Sequence, residues 1–383
     1  MKKILFIHNH KDFSGAAKSL SETIKTLKLN NEINVVCPAG SSSSFFKDCN
    51  INVINAIGVP RFNHFESGYY KGFRWLVLIR EIIFYIYFIY KLILIKKKLK
   101  SIDIVHLNEF ELIVIAPIIH FFLTKKISSH LRSRLETTKG KLRIRFIKYI
   151  SEKFINKIIA IDQDCYETSY CKEQTEIVYN VLINQDQKKD TENFKKNITF
   201  GFIGNFLSRK GIYDLLLAFK RIYEKNIPID LLVGGNQVKR SMIYNFLNSN
   251  KNFNNFVSKN AIDRCDNIKF IGKVTDLNKF YSKIDVLIFP SYLNSVGRPV
   301  IESSLFKIPS IIGLKNFNND TAIKNASLIF TPGDIEELYE KILFFYMNKE
   351  KIVEMGLNAY NNAINLFDHN KNTKKFINIL NKL

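Results

Sequence analysis

The chain has 383 residues, 46% hydrophobic and 24% charged, which is too long for one typical core and too apolar for a disordered chain. Its 57 Lys and Arg outnumber 35 Asp and Glu, for a formal net charge of +22. The five cysteines (Cys37, Cys49, Cys165, Cys171, Cys265) contain no C-x-x-C pair, which argues against a disulfide framework or zinc site and for reduced thiols in a cytosolic setting.

The opening "MKKILFIHNHKDFSG" has four apolar residues between Lys3 and His8, too few for the core of a secretory signal, and predicts a first buried strand. Ser14, Gly15 and Ala16 follow and open a helical pattern. A small-residue turn there lets backbone N–H groups approach an anion, although a simple tight turn reads equally well. The three-glycine dinucleotide fingerprint is missing, so no nicotinamide or flavin cofactor is expected.

The positive charge is clustered. Residues 71–100 hold eight basic and one acidic residue, and residues 125–157 hold eleven and two. Such windows call for a polyanionic partner, either nucleic acid or an anionic membrane. The windows carry no recognisable nucleic-acid module or base-stacking aromatic series, so a nucleic-acid partner is not expected. The first window contains "WLVLIREIIFYIYFIYKLILIKKK", from Trp75 to Lys98. A membrane span needs roughly 20 mostly uncharged residues, and Arg80, Glu81 and Lys91 interrupt this run. It predicts a helix lying on a membrane or packed in the core, with Arg80, Lys91 and Lys98 in one stripe beside a broad apolar face. The strand "IDIVHLN" follows at once and has to rejoin the sheet, which a bilayer crossing would prevent.

Apolar runs alternate with helical patterns along the whole chain. "KKILFIHN", "INVVCP", "IDIVHLN", "KISSH", "IIAIDQD" and "EIVYN" predict six strands in the first half. "ITFGFIGN", "PIDLLVGG", "NIKFIG", "DVLIFPS", "PSIIG" and "SLIFTP" predict six in the second. Continuous apolar strands separated by helices mark parallel sheets covered on both faces. The fold class is therefore α/β, with a doubly wound domain over 1–185, a polar linker over 186–197 and a second domain over 198–360. A final helix over 361–383 has room to cross back to the first domain. Ligands of such sheets lie beyond the carboxyl ends of the strands.

Two later stretches carry the chemistry. In "FIGNFLSRKGIYDLLLAFKRI", Arg209 and Lys210 precede Gly211 at a helix start. That arrangement suits a phosphate, Arg as a fork and Lys as a point charge, or is an ordinary solvated loop. In "SYLNSVGRPVIESSLFKIPS", Gly297 permits close backbone approach and Glu302 follows in or near the first turn of the next helix. It is either a helix-dipole charge or a carboxylate placed to accept hydrogen bonds from vicinal hydroxyls such as a ribose.

With "FSGAAKSL", "IDIVHLN", "SSHLRS", "IVYNVLI", "FIGNFLSRKG", "LLVGG", "NIKFIGKVTDLNKFYSKIDVLIFPS" and "NSVGRPVIESSLFKIPSII" in this order, the chain resembles the GT-B glycosyltransferases of family 4 over nearly its full length. The resemblance implies two Rossmann-like domains facing a cleft. It also implies transfer of a sugar from a nucleoside diphosphate sugar, usually with retention and without a bound metal. By position it places Gly15, beside Ala16, and Lys210 at the diphosphate, a group that Arg209 can reach from the other side of its loop in place of Asn205. Val274 falls at the base, Ser295, Val296 and Gly297 along the donor, and Glu302 at the ribose. His130 matches a histidine near the reacting centre, His106 and Asn108 stand behind it, and Arg132 is a surface charge or a contact to an acidic acceptor. Two positions depart from the pattern: Asn294 replaces the first glutamate of the pair, and Asn205 replaces the phosphate-loop arginine. Asn294 still donates and accepts hydrogen bonds to a sugar but offers no negative charge.

The expected reaction is hexosyl-type transfer to a lipid-linked or glycolipid saccharide in bacterial surface-polysaccharide assembly (O-antigen or capsule). The protein is expected to sit peripherally on the anionic inner face of the plasma membrane. A sugar-nucleotide epimerase of the same architecture and a non-catalytic sugar-nucleotide binder are the rival readings.

Overall fold

The computed structural model describes residues 1–66, 75–99, 101–180, 197–237, 253–293, 295–315 and 323–383. Asn294, and the linker expected over 186–197 except for Asn197, lie outside them. The chain divides into two compact units, Met1–Ile183 with Phe367–Leu383, and Asn184–Leu366.

In the first unit the strands are β1 (Lys2–Ile7), β2 (Asn31–Pro38), β3 (Asn52–Ala56), β4 (Ile104–Leu107), β5 (Ile127–Leu131), β6 (Lys157–Ala160) and β7 (Thr175–Ile177). They form one parallel sheet in the order β3-β2-β1-β4-β5-β6-β7. The helices between them are α1 (Gly15–Leu27), α2 (Ser41–Asp48), α3 (Val77–Leu99), α4 (Ala116–Phe122), α5 (Lys141–Phe154) and α6 (Gln163–Thr168). The sheet has seven strands where six are expected. The added one, β3, reads "NVINA" and alternates exposed with buried residues as an edge strand does, so it lacks the continuous apolar signature.

Each sheet face has its own core. On one, Leu5, Ile7, Val105 and Leu107 meet Phe88, Leu92 and Ile95 of α3, Ile118 and Ile119 of α4, and Ile147 and Ile150 of α5. On the other, Ile4, Phe6 and Ile104 meet Leu20 and Ile24 of α1 and Phe376 and Ile379 of the chain's last helix.

The second unit holds β8 (Ile198–Ile203), β9 (Ile229–Gly234), β10 (Ile268–Gly272), β11 (Val286–Phe289), β12 (Ser310–Gly313) and β13 (Ser327–Phe330), all parallel, in the order β10-β9-β8-β11-β12-β13. Among the described residues its helices are α7 (Ile212–Glu224), α8 (Phe253–Lys259), α9 (Leu277–Tyr281), α10 (Arg298–Ser304), α11 (Ile335–Met347) and α12 (Lys349–Leu366), and the last helix of the chain, α13, is His369–Asn381. The single helix expected over 361–383 is therefore two. Asp368 ends the first and caps the second, its carboxylate accepting from the Lys371 amide at 2.6 Å.

Strand order reverses between β1 and β4 in one sheet and between β8 and β11 in the other. These are the switch points at which open α/β sheets leave room for ligands. The singled-out motifs follow these four strands: Gly15 after β1, Asn108 after β4, Lys210 after β8, and Ser291 to Glu302 after β11.

One glycine is indispensable to the second switch point. Gly211 ends the short 3-10 turn Ser208–Lys210 at φ +71°, and a Cβ there would stand 1.8 Å from the Pro290 carbonyl oxygen. Alanine would meet both an unfavourable dihedral and an unyielding backbone atom. Gly211→Ala is expected to destabilise the second unit by about 3 kcal/mol or more, read as a lowered urea midpoint. A change within about 0.5 kcal/mol would contradict this packing.

Candidate functional site

In the second unit the loops after β8 and β11 are stitched by backbone. The Tyr292 amide donates to the Arg209 carbonyl at 3.0 Å, and the Tyr292 hydroxyl donates to Asp214 Oδ2 at 2.5 Å, at the start of α7. Phe289, the last residue of β11, is buried under both motifs: Lys210 Nζ lies 5.4 Å from its ring centroid, and Gly297 packs so tightly that a Cβ would fall 2.2 Å from the ring. Burial, reinforced by the positive charge of Arg209, pushes the Lys210 ammonium down to about 8. Lys210 is thus a half-buried cation over an aromatic ring, a ready partner for an anion.

Of the two readings of Glu302, the structure disfavours the helix-dipole charge. Glu302 is the fifth residue of α10, whose first turn carries no acidic residue. Arg298 Nε donates to its Oε1 at 2.8 Å and the Tyr281 hydroxyl to its Oε2 at 3.1 Å, with both Arg298 and Glu302 largely buried. An ionised carboxylate accepts about four hydrogen bonds, and these two fix its orientation. Burial, then the negative charge of Glu302, holds the Tyr281 phenol far above its ordinary range, so it remains a donor. Ser295, Val296 and Gly297 lie half-buried in the loop before α10, and Val274 is half-buried after β10 against Gly234. Asn205 is exposed, as is Arg209. Asn294, expected on the donor sugar, falls outside the described residues.

In the first unit α1 begins at Gly15, but its cap is Ser14, whose hydroxyl accepts from the Ala17 amide at 3.3 Å. The amides of Gly15 and Ala16 belong to the first turn, where the helix supplies no acceptor. Asn108 anchors this turn. Its amide group reaches the Ala16 carbonyl at 3.4 Å and His8 Nδ1 at 3.0 Å, and its carbonyl side-chain oxygen accepts from Arg132 Nη2 at 2.8 Å. Arg132 also donates to the Asn108 backbone carbonyl at 2.9 Å and to Asn180 at 3.1 Å. Arg132 is therefore no free surface charge but a brace tying the ends of β1, β4 and β5 together. Arg134 likewise pairs with Glu66 at 3.2 Å and Asp164 at 3.6 Å.

His130, the last residue of the expected strand "KISSH", lies inside β5 and is buried. Its Nδ1 is 2.7 Å from His106 Nε2, while His106 Nδ1 is 2.8 Å from the Ser128 hydroxyl. Phe376 of α13 stacks on His130 with centroids 5.4 Å apart and planes 10° apart. Burial, with Arg132 nearby, drives His106 to about 3 and His130 well below its ordinary value. Both imidazoles are neutral at physiological pH. His130 borders a small pocket with Ser19, Thr23, Asn180 and Phe376.

Sequence reasoning passed over several of these groups. Tyr281, Phe289, Tyr292 and Asp214 left no motif, although the i,i+4 spacing of Arg298 and Glu302 was a legible signal. Glu109, next to Asn108, is buried, pushed up to about 8 by that burial, and stands 3.9 Å from His10 Nε2. Among the described residues no three His, Cys, Asp or Glu side chains converge to hold a metal ion.

Three buried histidines, His8, His64 and His106, are each held down to about 3 by burial. Between that value and 6.5 the unfolded chain binds a proton at each and the folded chain does not, so stability falls as pH drops below 6.5. From pH 7 to 5.5 the three together remove roughly 3–4 kcal/mol. The Glu109 and Asp164 carboxyls, raised to about 8 and about 6 by burial, take up protons in the folded chain over the same range and return roughly 2–3 kcal/mol. A net fall of about 1 kcal/mol is therefore expected. Urea midpoints measured across that range test this, and a flat profile would contradict it.

Residues 184–362 match the family model described as Glycosyl transferases group 1. The capsular polysaccharide biosynthesis glycosyltransferase CapM of Staphylococcus aureus is 27% identical over 235 residues, 55% of this chain and 57% of that relative's length. Among solved structures, HepE of Anabaena in complex with UDP-glucose superposes with a TM-score of 0.73 at 16% identity, covering 100% of both chains. A TarM variant from S. aureus, in complex with fondaparinux, alpha-GlcNAc-glycerol and UDP, gives 0.70 at 12% identity over 100% of both. The likeness shows the fold, an α/β architecture of two parallel sheets shared with GT-B glycosyltransferases.

Proposed function

We propose that the protein is a GT-B glycosyltransferase of family 4. It moves a hexose-type sugar from a nucleoside diphosphate sugar to a hydroxyl of a membrane-linked saccharide in bacterial surface-polysaccharide assembly. The carrying observation is that one ring at the end of β11, Phe289, carries both motifs: Lys210 lies over it, and Gly297, which opens the helix on which Arg298 and Tyr281 orient Glu302, packs against it. Lys210 suits a diphosphate, Glu302 ribose hydroxyls. The family match over this half of the chain, and the UDP and UDP-glucose complexes of HepE, support the reading and make a uridine diphosphate sugar the first donor to test. CapM's role in capsular polysaccharide biosynthesis supports the setting.

In this mechanism the anomeric C–O bond to the diphosphate breaks and its electron pair leaves on a phosphate oxygen. The acceptor oxygen bonds to the anomeric carbon on the same face, and its proton passes to the departing diphosphate, giving retention. Lys210 and Arg209 stabilise the charge that develops, so that no divalent ion is required. Asn205 and the backbone of Ser295 to Gly297 line the diphosphate and donor, Val274 the base, and Asn294 the sugar hydroxyls. In the first unit a neutral His130, oriented by His106, serves as a hydrogen-bonding group for a substrate hydroxyl. Arg132 and Asn108 brace the acceptor side. The protein works peripherally at the cytoplasmic face of the plasma membrane. Among the described residues no helix is long and apolar enough to cross a bilayer.

A thermal-shift screen against UDP-, GDP- and other nucleotide sugars should raise the apparent melting temperature with one of them. Product analysis with that donor alone should show slow hydrolysis at most, and transfer only with membrane extract. Conversion of the free donor to an epimer, or binding with no turnover, would favour the rivals. Because Lys210 must be protonated, affinity should hold from pH 6.5 to 7.5 and fall by up to about tenfold per pH unit above 8. Lys210→Ala should lower turnover by about 10²–10³-fold. Unchanged turnover would contradict the assignment.

A further inference from the structure

Three helices from separate stretches of sequence share one side of the first sheet. α4 packs against both α3 and α5, and all three send their buried residues into the same core. Their opposite sides therefore form a single outer face.

That face is apolar in an ordered way. On α3, Ile79, Ile82, Ile83, Ile86, Tyr90 and Ile93 recur at i, i+3, i+4, i+7, i+11 and i+14, which is one stripe of a helix. The first four of these are 60–66% exposed, too much for a core stripe and too regular for scattered surface residues. α4 adds Phe121, 76% exposed, and α5 adds Leu142, Phe146 and Tyr149, all exposed.

The rim is cationic. Lys96, Lys97 and Lys98 are exposed at the end of α3, and Lys125 and Lys126 follow α4. Lys141, Arg145, Lys148 and Lys153 are exposed on α5, against a single exposed acid on the three helices, Glu152, which pairs with Lys148. The other acid, Glu81, is buried and held by Arg61 and Arg80.

We infer that the joint outer face of α3, α4 and α5 is a docking surface for an anionic lipid leaflet, with α3 lying in the interface plane. Apolar side chains enter the acyl boundary while the lysines meet lipid phosphates. The charge singles out this occupant. A second copy of the chain would bring two basic rims together, and a nucleic acid would leave the isoleucine stripe in water. The inference deepens the proposal of a membrane-linked acceptor and rests on it for its sense.

The test uses the full chain without donor, so its failure leaves nucleotide binding and turnover unaffected. Flotation with phosphatidylglycerol–phosphatidylcholine vesicles, against pure phosphatidylcholine, measures the partition. The only tryptophan of the chain, Trp75, lies beside α3 and is 43% exposed, so its emission reports insertion. Expected are binding to the anionic vesicles, weakened by salt, with a blue-shifted emission. Each lysine among 96–98 changed to glutamate should weaken binding about fivefold or more. Ile82→Glu with Ile86→Glu should abolish the blue shift while the melting temperature stays near that of the parent. Failure to float with anionic vesicles, or equal binding to neutral ones, would overturn the inference. So would a concentration-dependent dimer dissolved by the isoleucine changes.

Discussion

The approach of Gly211 to the Pro290 carbonyl is the constraint on which the second unit's site depends. With φ at +71° and no room for a Cβ, the turn after β8 lies directly on the end of β11. The Tyr292 amide can then reach the Arg209 carbonyl, and Lys210 is delivered over Phe289 instead of into solvent. One backbone contact thus converts two loops, some eighty residues apart in the chain, into a single platform. Gly297 in turn packs directly against the Phe289 ring, leaving no room for a Cβ, and Glu302 follows on the helix that begins there.

The first unit solves the equivalent problem with side chains. Its switch point is bound by Arg132, Asn108 and His8, and the histidine pair beneath it is covered by Phe376 from the end of the chain. Buried polar networks of this kind hold a unique geometry when satisfied and are costly when broken, because the low local dielectric strengthens both the bonds and the penalty for losing them. It follows that the end of the chain, through Phe376, encloses the first unit's polar network as well as filling its core.

Much of the fold was legible because parallel strands are buried on both faces and read as unbroken apolar runs. β3 was not, since an edge strand alternates and Asn52 and Asn55 break the run. The positions of Gly15, Lys210 and Glu302 after their strands were legible for the same reason. What held them was not: Tyr281 and Phe289 look like ordinary core residues in one dimension, and only the tertiary fold turns them toward Glu302 and Lys210. The bracing contacts of Arg132 and the cover over His130 were not legible, because "KISSHLRS" does not reveal which partners its polar residues meet or that α13 returns to cover it. In α3 the sequence gives a surplus of apolar side chains but cannot divide them between core and exterior.

The central claim is that Lys210 and Glu302 serve one bound nucleotide, and calorimetric titration of a matched ligand series tests it most directly. Nucleoside, nucleoside diphosphate and the 2′,3′-dideoxy diphosphate would be titrated into the parent, Lys210→Met and Glu302→Gln. The account predicts that Lys210→Met loses about tenfold or more in affinity for the diphosphate but little for the nucleoside. It predicts that Glu302→Gln loses affinity for the ribose forms and leaves the dideoxy form nearly unchanged. Equal losses of Lys210→Met toward nucleoside and diphosphate, or of Glu302→Gln toward ribose and dideoxyribose, would contradict it.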